Sequence, residues 1–241
     1  MGKSFDIRRE VALEATPEQV FAAVTEGAAG WMFPTGFQPT DDPEQLAAQG
    51  FVEFDPPNKV AHRMEGPDGW FNALEYVIET RDGGGVTLRY VHSGVFTDDW
   101  DTQYDGAGKH TEFYLHTLNQ YVKYFPGRET TYVAGSGPES AGAPEAFAMF
   151  CVQLGVMQGG PGAPVTLDVP GVGQVDAVVD FRNANFLGLR SADSLIRIFG
   201  RNAFGDRVGY SVHQFAEGVD QAKSQEAWQA WFDGHFAGGT A

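Results

Sequence analysis

Tyr90 and His92 lie two residues apart in VTLRYVHSGV (residues 86–95), so in an extended segment they share one face with Val86 and Leu88. A phenol beside an imidazole in an apolar setting can pass a proton near neutral pH or hold a ligand by hydrogen bonds. His62 alternates with Val60 and Met64 and reads the same way. His92, Tyr90 and His62 are the candidate acid–base residues, and a polar handle in a binding pocket is the plainer expectation for each. His110 and His116 bracket Glu112, but two histidines six apart miss the helical spacing of metal ligands, so a structural or surface role is expected. Asp98, Asp99, Asp101 and Asp105 surround Trp100 without EF-hand spacing and read as acids at a helix N-terminus. Asp180, Arg182, Arg190, Asp193, Arg197 and Arg201 alternate along later segments as on the solvated face of a half-buried sheet. Arg197 and Arg201 are also placed to anchor an anionic ligand or an interdomain ion pair.

The chain carries no GxSxG, Walker loop, HExxH or paired cysteines, and the glycines of GPGAP and GVGQVD lack a nucleotide-binding context. No metal and no cofactor are expected. Cys151, the single cysteine, sits in AMFCVQLG as a small core residue. A formal charge of −16 argues against a nucleic-acid partner and against docking on an anionic membrane surface. With no hydrophobic leader and no run of about eighteen apolar residues, the expected location is cytoplasmic.

The elements that must position these residues follow from periodicity. Phe5, Ile7, Val11 and Leu13 punctuate an opening strand, after which Thr16-Pro17-Glu18 reads as cap and first turn of a helix. A short helix is expected over 43–48, capped by Asp41 or Asp42. Strands are expected over 51–55, 59–65, 71–80 and 86–95, joined as one antiparallel meander. Leu74, Tyr76 and Ile78 share one side of the third of these. A long helix should follow from about Trp100, with Tyr114, Leu118, Tyr121, Val122 and Phe125 on one buried stripe. Those two alternations place nine residues around one cavity between sheet and helix: Trp31, Phe33, Met64, Tyr76, Tyr90 and His92, with Tyr114, Leu118 and Tyr121.

The strand–Thr-Pro-Glu–helix opening at Phe5 to Val24, the meander and the closing LHTLNQYVKYFPG segment resemble the START-like (SRPBCC) superfamily over residues 3–127. The resemblance is to the bacterial branch of homologues of the activator of the heat-shock-protein-90 ATPase. It implies an α+β helix-grip fold, an antiparallel sheet curled around a long C-terminal helix. The second half repeats the order: GAPEAF at 142–147 parallels ATPEQVF at 15–21, further strand segments follow, and SQEAWQAWFDGHF closes as a helix. The expected domains are 1–127 and a second, more degenerate copy at 128–241. Three functions follow: binding of a small hydrophobic ligand, a cyclase- or hydrolase-like enzyme using the cavity His and Tyr, or a chaperone-ATPase-regulating interaction module. The first rests on the aromatic inward faces, and the last on the family name alone.

Overall fold

A computed structural model of the chain describes residues 2–96 and 100–237. Asp98 and Asp99 lie outside the described residues. The fold is α+β, and the chain divides into two compact units between Gly127 and Arg128.

The first unit opens with β1 (Lys3–Leu13), where Phe5, Ile7 and Leu13 are buried and the charged residues between them are not. Helix α1 (Pro17–Val24) starts at a complete capping box. Thr16 Oγ1 accepts from the Gln19 N–H at 3.3 Å, and the Gln19 side chain accepts from the Thr16 N–H at 2.9 Å. The short α2 (Pro43–Ala48) is capped by Asp42, whose carboxylate accepts from the Glu44 N–H. Strands β2 (Phe51–Asp55), β3 (Lys59–Glu65), β4 (Phe71–Thr80) and β5 (Val86–Phe96) make an antiparallel meander. The opening strand returns beside the last one, giving the order β1-β5-β4-β3-β2. Register pairs Tyr76 with Tyr90, and both Leu74 and Ile7 with His92, so these side chains share the sheet's inner face.

Helix α3 (Trp100–Tyr124) closes the unit against β1 and α1. Thr111, Leu115, Leu118 and Val122 are buried at i, i+4, i+7 and i+11. Tyr121 and Phe125 are buried as expected, while Tyr114 is only partly covered.

The second unit repeats the plan. After β6 (Thr131–Ser136) and α4 (Ala146–Gln153) come β7 (Pro164–Val169), β8 (Gly173–Arg182), β9 (Phe186–Ser191), β10 (Ser194–Phe199) and β11 (Gly209–Gln214). The sheet order is β6-β11-β10-β9-β8-β7, so again the opening strand lies beside the last. Helix α5 (Gln221–Gly234) closes it, capped by Asp220 and burying Trp228, Trp231 and Phe232. Among the described residues this copy has six strands in its sheet against five in the first. Its α4 starts two residues later in the matching pattern, after Glu145, whose side chain makes no cap hydrogen bond.

One expectation is corrected here. Arg197 does not line a solvated face: every residue of β10 and of β11 is buried, on both sides of the sheet. Charges in that position must pair. Arg197 and Asp180 do so at 2.9 Å with side chains 1% and 4% exposed, and Gly188 opposite leaves them the room.

Candidate functional site

The inner face of the first sheet carries a row of polar and aromatic groups at the end where β1 begins and β5 finishes. Tyr76 and Tyr90 face each other across β4 and β5 with ring centroids 5.3 Å apart. The Tyr90 hydroxyl shares a hydrogen bond with the Thr111 side chain of α3. Burial pushes the pKa of both phenols upward, so they stay protonated through the physiological range.

His92 is the next residue on that face. Its Nε2 lies 2.7 Å from Asn72 Oδ1, and its ring meets Phe5 edge-on at a centroid distance of 4.9 Å. Burial lowers its pKa to about 4, and no charged group contributes to the shift. The imidazole is therefore neutral at pH 7. With an amide oxygen as its partner, Nε2 carries the proton and donates it, which leaves Nδ1 as an acceptor. Among the described residues nothing is hydrogen-bonded to Nδ1.

Helix α3 supplies the opposite wall, and three contacts fix its course. Trp100 Nε1 donates to the Ser4 carbonyl at 3.2 Å, Arg9 pairs with Glu112 at 2.9 Å, and Thr111 meets Tyr90. The helix thus runs back along β5 and β1, its N-terminal end beside Ser4. One turn before Thr111 and Glu112 stand Ala107 and Gly108, both half-buried. Ala107 and Gly108 give this turn of the helix small side chains, and the group nearest Gly108 is Arg9 Nη2. Gly108 is not there to suit the helix, since glycine costs about 1 kcal/mol relative to alanine in a helix interior.

The remaining candidates are spread more widely. His62 lies in the same cross-strand row as Leu74 and His92 but two strands away, about 10 Å at ordinary strand spacing. Its Nε2 is hydrogen-bonded to the Gln49 carbonyl at 3.0 Å and its ring packs on Phe51, so it is not a partner of His92. Trp31, Leu118 and Tyr121 are core residues: Trp31 Nε1 donates to the Ala23 carbonyl, and the Tyr121 ring sits over Gly30. Tyr114 is close enough to influence the Tyr90 phenol. Phe33 and Met64 do not join the interior; they are 46% and 48% exposed. Phe33 rides on the Pro34–Gly36 loop, and Met64 extends past Phe51, where the edge strand β2 begins its pairing with β3. Asn72, which sequence reasoning did not single out, is the group that orients His92. Its one trace in the sequence is its place two residues before Leu74, as a polar residue on an otherwise apolar face.

No protein-family model matches the chain, and no curated protein matches it. Several solved structures are similar to it. A protein from Mesorhizobium loti is 16% identical over 50% of this chain and 98% of its own, with a TM-score of 0.40. The di-domain ARO/CYC BexL from the BE-7585A biosynthetic pathway is 12% identical over 98% of this chain and 100% of its own, at 0.37. DynU16, from the dynemicin biosynthetic locus, is 15% identical over 96% of both chains, at 0.36. Both units of the chain described here are antiparallel-sheet domains of helix-grip type, each closed by its C-terminal helix.

Proposed function

We propose that the protein binds a small, largely apolar molecule in its first unit, at the His92 end of the space between sheet and α3. The single observation that carries this reading is a buried, neutral imidazole oriented by an amide and set among aromatic rings. The imidazole offers one acceptor, Nδ1, beside aromatic walls at Phe5 and Tyr90. A ligand with an apolar body and one hydroxyl or amine hydrogen suits that environment.

An acid–base role is the weaker reading. General catalysis is most effective when the group titrates near the working pH, and a histidine lowered to about 4 stands well below it. Its orienting partner is an amide, which does not stabilise an imidazolium as a carboxylate would. A chaperone-regulating role rests on family resemblance alone.

Native mass spectrometry of gently purified protein tests the proposal. The wild type is expected to retain a small molecule that is released on unfolding, and His92→Leu, which removes the Nδ1 acceptor, is expected to lose it. Retention by both proteins would place the ligand elsewhere. Turnover of the released molecule would favour the enzyme, and an empty protein that captures an ATPase chaperone would favour the third reading.

A further inference from the structure

A second cleft in the first unit lies on the outer side of α1, away from His92. Its volume is about 340 Å³, and its apolar lining is Phe21, Phe37, Phe54, Pro39, Pro56 and Pro57. The rings pack on one another: Phe21 meets Phe54 at 5.1 Å nearly perpendicular, and Phe37 lies over Phe54 at 6.1 Å. Phe54 reaches this face because β2 shifts register between Phe51 and Glu53, which puts two phenylalanines three residues apart on one side.

The polar lining is one-sided. Three carboxylates, Glu18, Glu26 and Asp41, stand around the rings, with no Lys or Arg among the lining residues. Glu18 is held ionised, since its own backbone amide and the Thr16 hydroxyl lower its pKa. The side-chain donors that line the cleft are already used. The Thr25 hydroxyl donates to the Phe21 carbonyl at 2.7 Å, and the Thr40 hydroxyl donates to Gln45 Oε1 at 3.1 Å. The three prolines bring no N–H. Among the described residues, none of the three carboxylates forms an ion pair.

An anion would find no side-chain donor here, and a neutral polar ligand would find only acceptors. We propose that this cleft binds a small organic cation with an apolar body, an alkyl- or arylammonium, with its hydrocarbon on the phenylalanines and its charge toward Glu26 and Asp41. Aromatic faces attract such cations through their quadrupole, and the carboxylates add an attraction that salt screens. A net charge of −16 on the chain draws cations toward the surface in the same sense.

The test is isothermal titration of the full chain with benzyltrimethylammonium, against benzyl alcohol and phenylacetate as neutral and anionic analogues. The cation is expected to bind at least tenfold more tightly than either analogue. Its affinity should fall threefold or more in the Glu26→Gln/Asp41→Asn double variant, whose exposed positions leave folding intact, and again in Phe37→Leu. Raising sodium chloride from 0.05 to 0.5 M, on the order of a threefold change in Debye length, should weaken it too. Equal affinity for the three probes, or cation binding unchanged in both variants, would overturn the proposal. His92→Leu is expected to leave this binding unaltered, so failure here is separable from failure at His92.

Discussion

His92 Nε2 and Asn72 Oδ1 are 2.7 Å apart, joined across the start of β4 and the end of β5 with Phe5 against the ring's edge. That contact sets the tautomer, and burial sets the charge.

The first consequence is a pH dependence of stability. His92 has its pKa lowered from 6.5 to about 4 in the folded chain, so between those values the unfolded state binds more protons. Its contribution is fully present above pH 6.5 and is lost as pH falls toward 4. The size is on the order of 3 kcal/mol at most, from about 1.4 kcal/mol per unit. His235 is lowered in the same direction by burial, so the slope is not due to His92 alone. Urea unfolding at pH 7 and pH 5 should show a smaller difference in His92→Gln than in the wild type. An unchanged difference would mean that the imidazole is solvated.

How much of this was legible in the sequence depended on whether neighbours in space were neighbours in pattern. Alternation in β4 and β5 placed Tyr76, Tyr90 and His92 on one face because those strands have one buried side. Thr16-Pro17-Glu18 announced its helix because a cap is a local device. Asn72 stayed hidden because its partner is twenty residues away and a lone asparagine has no periodicity. The exposure of Phe33 and Met64 depends on a loop path and on where β2 starts, neither of which alternation encodes. The near-continuous apolar runs FLGL and SLIRIF mark β9 and β10 as covered on both sides, a signal that the charges alternating through the same segments overlie.

Gly108 yields a prediction of opposite sign to most substitutions. A Cβ there would meet only Arg9 Nη2, at an ordinary 3.7 Å, so Gly108→Ala fits without strain. It should stabilise α3 by about 0.5–1 kcal/mol, read as a raised urea midpoint. Destabilisation would mean that the helix backbone at 108 is not free to carry a side chain.

The capping box at Thr16 satisfies amides that α1 would otherwise leave open. Thr16→Ala should cost about 1 kcal/mol in chemical unfolding. A change near zero would show that water replaces the hydroxyl at no cost.

Arg197 and Asp180 make a charge pair with almost no solvent contact. Arg197→Met should destabilise by about 3–5 kcal/mol, because it leaves the Asp180 carboxylate buried without its partner. Arg197→Met combined with Asp180→Leu should recover most of that loss. Additive losses in the double variant would mean that packing, rather than charge, holds the site.

The central claim is that His92 is a neutral imidazole that donates from Nε2 and keeps Nδ1 for a ligand. Long-range proton–nitrogen correlation NMR of the histidine rings measures it directly, between pH 7.5 and 5, with and without the retained molecule. His92 should show the Nε2-protonated neutral tautomer down to pH 5, and ligand should shift its Nδ1 resonance. A doubly protonated ring at pH 6, or a proton on Nδ1 in the ligand-free protein, would contradict the account.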